Sequence, residues 1–435
     1  MTARTRFRLR QLAHDLTSGM LFRPAMITIG IALAGLGLVE VESTGALPRW
    51  SAGGWFFGND PGSAQAVLGA IAGSMMSVVS IVYSVLLVAL SLASVQFSPR
   101  ILGGFVRDRV SQRTLGVFLG TFVYCMLVMR ATRTEPAWVA TWAVAGGCLL
   151  GVVCLVLLIF FLHHIALGIQ VNHLADRIAA DTAEVIDDVY RRDENDLPVP
   201  SLPDDAIAVK ATKAGYLQLV DHEGLADLAR RYDVVVHIAV QPGDYAPRGR
   251  ELARIDPRGH PVADEVIESC RDGFDLGPVR TMQQDVAFGV RQLVDIALKA
   301  ISPAVNDPST ASTCIDHLGS LLAELSACRS DVRVIGDAKR AHVVVPRPTF
   351  GELVDLAFNQ LRQYGRTDLA VSIRMLAAIA IAGRASTSDE QRARLRAHAD
   401  LLRDGLSSDF LPADRERFDV KHRLVTELLP ATSSR

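Results

Sequence analysis

Lysine is scarce in this chain: Lys210, Lys213, Lys299, Lys339 and Lys421 are the whole set, and nearly all other positive charge is arginine. Opposite charges nearly cancel, with a formal net charge of -2, so no global field draws nucleic acid. The six cysteines form no CxxC pair and no Cys/His cluster of zinc spacing, which argues against both a disulfide framework and a structural metal. Also missing are GxxxxGK[ST], a glycine-rich dinucleotide fingerprint, HExxH, a GxSxG elbow and an EF-hand loop. The sequence therefore offers no catalytic residues and no cofactor, and we expect a non-enzyme. The most telling absence is local. From 61 to 99 there is not one Asp, Glu, Lys or Arg.

Hydrophobic residues make up 49% of the 435 residues and charged ones 21%, with mean hydropathy +0.24. That mixture suits a chain divided into a very apolar part and an ordinary polar part. Four uncharged stretches occupy residues 1–165: 24–39, 61–99 with its core at 64–92, 114–129 and 136–162. A helix needs about 20 apolar residues to cross the hydrocarbon of a bilayer. The second and fourth stretches exceed this. The other two reach it if Arg23, Arg113 and Arg130 extend toward the headgroups. Arg4, Arg6, Arg8, Arg10 and Arg23 precede the first stretch, and Arg100, Arg107, Arg109 and Arg113 fill the second loop. The positive-inside rule then places both termini in the cytoplasm. A cleaved leader ending near Thr44-Gly45-Ala46 is the alternative reading of the first stretch.

The second stretch carries a hydroxyl pattern. Ser77, Ser84, Ser91 and Ser98 recur every seven residues, with Ser80 and Ser94 at the intervening step and Ser74 one step before them, on the same drifting helix face. Two readings stay open. Small polar residues let neighbouring helices approach closely; alternatively, symmetric copies surround an axis and the serines line a hydrated pore. Arg100, at the cytoplasmic end, either sets topology or forms an anion-attracting ring.

Beyond the fourth stretch, 165–192 has helical spacing, and the prolines of 193–203 mark a linker. Short strands are expected at 206–212, 215–220 and 234–241, with a helix at 225–232. The segment VVHIAVQPGDYAPRGRELARI, at 235–255, resembles the hairpin of biotinyl/lipoyl-type barrel-sandwich modules. It has no lysine at a hairpin tip for covalent attachment. Farther on, 286–301 reads as a helix, Pro303 and Asn306-Asp307-Pro308 as a turn, and 310–328 as a second helix capped by Asp307 or Ser309. Asp285, Arg291, Asp295, Asn306, Asp307 and Ser309 make this helix-turn-helix unusually polar. They serve either as a ligand or subunit-interface site, or as caps plus an i,i+4 Arg291/Asp295 pair. A hairpin at 332–345 and helices at 349–364, 367–382 and 388–405 complete an α+β arrangement. The charged residues after 412 suggest a loosely packed tail. His237, His260, His317 and His342 read as isolated on strands or loops.

Several separated motifs occur together: ASVQFSPRILGGFVRDR at 93–109, FLGTFVYCMLVMRA at 118–131, FFLHHIALGIQV at 160–171 and RTMQQDVAFGVRQLVDIALKAISPAVNDPSTASTCIDHLGSLL at 280–322. In these the chain resembles the bacterial predicted membrane proteins grouped as domain of unknown function 2254. The resemblance implies a multi-pass inner-membrane protein with a cytoplasmic C-terminal domain and brings no activity with it. The expected organisation is four spans in 1–165, a helical extension and linker in 166–203, a small β module in 204–260, an α+β cytoplasmic domain in 261–411 and a tail in 412–435. The partners expected are the lipid bilayer and further copies of the chain in a homo-oligomer. Two functions compete: an ion channel with a serine-lined second span, and a non-transporting scaffold or sensor that binds a cytosolic ligand or partner through 280–317.

Overall fold

A computed structural model describes residues 22–47, 60–96, 108–132, 138–168, 170–191, 197–328, 331–337 and 340–430. They fall into two compact units that divide between Gln170 and Val171. The first contains four helices: α1 (Phe22–Ser43), α2 (Pro61–Gln96), α3 (Arg109–Ala131) and α4 (Thr141–Gly168). Each is long and apolar enough to cross a membrane. Half of the α3 span is buried against 11–22% of the others, so α3 is the central helix.

Small residues make that position attainable. A Cβ on Gly116 would come within 2.9 Å of Pro24 in α1, and one on Gly120 within 2.7 Å of Ile31. The Tyr124 ring lies against Gly35 of α1 and Gly146 of α4, and its hydroxyl donates to the Ala143 carbonyl at 2.8 Å. Asp108 caps α3, accepting from the Ser111 amide at 2.8 Å, and meets His164 Nε2 at 3.0 Å. Both termini of the first and fourth spans differ from a hydropathy reading. Helix α1 runs past Glu40 to Ser43, and α4 begins at Thr141 rather than 136. The link is Glu42, whose carboxylate accepts from the Trp142 amide at 3.1 Å and so closes the N-terminus of α4. Apolarity marks where a helix is greasy; capping decides where it starts.

The second unit opens with α5 (Val171–Ile186) and a π-helical turn (Asp187–Arg191). The continuous helix expected over 165–192 is therefore broken, since α4 stops at Gly168. Next come β1 (Ile207–Lys210), β2 (Gly215–Val220), α6 (His222–Tyr232), β3 (Val235–Ile238), β4 (Tyr245–Ala246) and β5 (Glu251–Asp256). Helix α7 (Asp264–Arg271) and β6 (Phe274–Gly277) were not anticipated; both are too short to show a period. Helices α8 (Val286–Ala300) and α9 (Pro308–Ser326) follow, then β7 (Val332–Asp337), β8 (Arg340–Pro346), α10 (Phe350–Gly365), α11 (Leu369–Ala385), α12 (Asp389–Asp404) and α13 (Pro412–Leu428).

Two sheets result, with strand orders β1-β5-β3-β8-β7 and β4-β2-β6. Strands β3 and β5 pair antiparallel, as the hairpin at 235–255 suggested, but the barrel-sandwich likeness fails. The free edge of β3 is taken by β8 in parallel, Val236 opposite Val343, and β4 leaves to join the second sheet. Val236, Ile255, Leu225 and Val343 fill the core between sheet and helices. In the helical part α9 packs closely on α11, where a Cβ on Gly319 would meet Ala378 at 2.9 Å. The expected loose tail is instead helix α13. Phe418, Val425 and Leu429 recur at helical spacing and are buried, and His422 pairs with Asp400 at 2.9 Å. The charges between those apolar positions hid their period.

Candidate functional site

Helix α2 has two opposed faces. Ala64, Leu68, Ala72, Met75, Val79, Val82 and Ala89 recur at steps of three and four (one of seven) and are buried against the bundle. Ser74, Ser77, Ser80, Ser84 and Ser91 are exposed on the other side. Gly62, Ala66, Ala70 and Gly73 continue the exposed side toward the helix N-terminus, and bulky Met76, Ile81, Leu87 and Val88 are exposed among the serines. The hydroxyls of Ser74 and Ser84 donate to their own helix, to the Ile71 carbonyl at 2.8 Å and the Ser80 carbonyl at 2.9 Å. Their protons are thus satisfied locally while oxygen lone pairs face outward. The side chain of Ser94, and Ser98 and Arg100 altogether, lie outside the described residues.

The helix-turn-helix polar cluster is used internally. Asp285 caps α8, accepting from the Phe288 amide at 2.9 Å, and is gripped by Arg280 through Nε and Nη2, each at 2.9 Å. It is 2% exposed. Burial pushes its carboxyl up to about 6, opposed by Arg280 and the Phe288 amide and reinforced by nearby Asp244. Gly243 closes the site from the 242–244 turn: at φ 94 its hypothetical Cβ would sit 2.1 Å from Asp285 Oδ2. Arg291 and Asp295 form the expected i,i+4 pair at 2.8 Å, largely buried rather than exposed. Asp307 caps α9 through the Thr310 amide at 3.1 Å and hydroxyl at 2.6 Å. The Thr310 hydroxyl and amide hold its carboxyl below the usual range. Asn306 takes a left-handed conformation, φ 51, in the turn; it and Ser309 are exposed. The structure thus brings Asp285 together with Arg280 and Asp307 with Thr310, and it leaves the six expected residues in three separate arrangements.

The histidines are less isolated than their sequence positions suggest. His317 lies on α9, 2.9 Å from Asp176 of α5, and His342 lies 3.1 Å from Asp337. Buried His398 meets Asp355 at 2.8 Å, and burial lowers its pKa. Among the described residues no three His, Cys, Asp or Glu side chains converge as a metal ion requires.

One cluster gave no signal in the sequence. Asp233, Arg258 and Arg340 meet at one end of the five-stranded sheet, with Arg258 Nη1 and Arg340 Nη1 on the same Asp233 oxygen at 2.9 and 3.2 Å. Each comes from a different segment, so only the strand order unites them.

A bundle of four membrane-length helices followed by a mixed helix-and-sheet unit defines a multi-pass membrane protein. The family model for predicted membrane proteins of the DUF2254 type matches residues 17–380, and the chain belongs to that family. Uncharacterized proteins of Mycobacterium bovis and Mycobacterium tuberculosis are each 32% identical over 401 residues, covering 87% of this chain and 75% of their own length. No solved structure matches.

Proposed function

We propose that the chain assembles through the outer face of α2 into a symmetric oligomer of the bacterial inner membrane, with both termini cytoplasmic and the serines lining a path for small ions. The observation that carries this reading is the direction of the serine face, diametrically opposite the buried face of its own bundle. Glycine, alanine and serine give lipid little to pack against, whereas a second helix can approach them closely. Around a symmetry axis, outward hydroxyl oxygens would replace part of an ion's hydration shell. A serine hydroxyl offers lone pairs to a cation while back-bonded and its proton to an anion once it rotates away from the carbonyl, so Arg100 is assigned the selection of anions at the cytoplasmic mouth. The rival scaffold reading draws less support, because Asp285, Asp307 and Arg291 are engaged in caps and ion pairs.

Ion flux from liposomes containing the purified protein tests the proposal. Ser84→Leu and Ser91→Leu are expected to reduce flux at least tenfold. Equal flux from the wild type and both variants would reject the path.

A further inference from the structure

A shallow groove of about 530 Å³ opens where the five-stranded sheet ends. Strands β3 and β8 run parallel and β5 antiparallel to them, so the start of β3, the end of β5 and the start of β8 share one edge. Asp233 precedes β3, Arg258 follows β5 and Arg340 opens β8. Residues 197–200, Leu-Pro-Val-Pro, form an apolar wall facing these charges, with Val199 56% exposed.

The two guanidiniums are only partly engaged: both reach the same oxygen of Asp233. Arg258 gives a further N–H to the Ala341 carbonyl at 3.0 Å. Each guanidinium carries five N–H donors in a planar fork, and most of those here point to no acceptor among the described residues. Asp256 and Asp337 hold the backbone amides of Arg258 and Arg340, at 2.9 and 3.2 Å, and neither lines the groove. Those two carboxylates hold the arginine backbones, and the side chains of Arg258 and Arg340 line the groove.

Backbone conformation agrees. Among the described residues only Asp233, Arg258 and Asn306 are non-glycines with positive φ, and two of these three line the groove. Aspartate tolerates the left-handed region; an arginine at φ 47 pays a cost that glycine would avoid. What glycine lacks is the guanidinium.

We propose that this groove binds a small molecule carrying an oxyanion, a phosphate or carboxylate, clamped by Arg258 and Arg340, with its apolar body against residues 197–200. Guanidinium forks match such anions in a bidentate geometry.

Isothermal titration of the full-length protein in detergent micelles tests this with three probes: inorganic phosphate, phenyl phosphate and benzoate. Saturable binding is expected, tighter for phenyl phosphate than for inorganic phosphate. Benzoate binding instead of phosphate binding would assign a carboxylate. Arg340→Gln is expected to weaken binding at least tenfold; this side chain is 63% exposed, so the fold does not depend on it. Val199→Asp is expected to weaken phenyl phosphate more than inorganic phosphate. No saturable heat with any probe, or unchanged binding in Arg340→Gln, would overturn the site. Equal affinity for the two phosphates would overturn the apolar wall.

Discussion

The serine face of α2 and the polar turn between α8 and α9 are both dense in hydrogen-bonding groups, yet they face opposite ways in energetic terms. At the turn, Asp285 is buried and both its oxygens are engaged, while Asp307 closes the next helix. On α2, Ser74 and Ser84 are exposed and donate to carbonyls of their own helix. The outer face of α4 adds a third standard: Leu155, Ile159 and Phe160 are bulky, apolar and 60–70% exposed, as contact with lipid requires. Polar density by itself therefore does not mark a site. What matters is whether the polar groups are consumed by the fold, and the comparison fails if the turn proves dispensable or the serines prove structural.

The largest expected effect tests the turn. Asp285→Ala leaves Arg280 without its partner and α8 without its cap. Breaking a buried ion pair costs about 3–5 kcal/mol. Hydrogen exchange of the α8 amides in the full-length protein should show this loss of local opening free energy. A change under about 1 kcal/mol would mean that the cluster is not committed to stability.

The next effect is its pH dependence. Because the folded carboxyl of Asp285 titrates at about 6, above the ordinary aspartate value, the folded state holds more protons between pH 4 and 6 than the unfolded state. This group's contribution to stability therefore rises as pH falls through 6 and is complete near the unfolded value. The gain is on the order of 3 kcal/mol. Measured as α8 opening between pH 7 and pH 4, it should appear in the wild type and vanish in Asp285→Asn. A smaller effect belongs to the separate cap of the next helix: Asp307→Ala should cost about 1 kcal/mol at α9, the usual worth of an N-cap.

How far the sequence revealed these features depended on whether their signal was contiguous. The four spans, the capped turn at Asp307 and the Arg291/Asp295 pair were legible because each lies within one stretch of chain. The start of α4 was not, since Glu42 caps it from about a hundred residues away. Helix α13 was obscured because its three buried apolar residues are separated by charges. Asp285 showed as polar, but the grip of Arg280 and the Gly243 turn that covers it depend on tertiary packing. The groove was wholly silent: Asp233, Arg258 and Arg340 become neighbours only when β8 inserts beside β3. The serine period was visible, but not its direction, which is set by the apolar residues that α3 selects on the other side.

The smallest effect on stability is also the sharpest division between the two polar regions. Ser84→Ala removes an exposed hydroxyl whose partner is its own helix, so it should change stability by less than about 0.5 kcal/mol. Ser84→Leu should likewise leave the single bundle intact, since Ser84 is exposed among the described residues. If another α2 lies against this face, however, an inserted leucine separates the two backbones and the oligomer dissociates. Leu155→Ala on the outer face of α4 serves as the matched control, since an exposed leucine side chain there has few protein contacts to lose. Subunit counting by single-molecule photobleaching in lipid nanodiscs should show fewer subunits for Ser84→Leu and no change for Leu155→Ala. An unchanged count in both variants would place the serines against acyl chains, where their back-bonded hydroxyls are tolerated and no assembly follows.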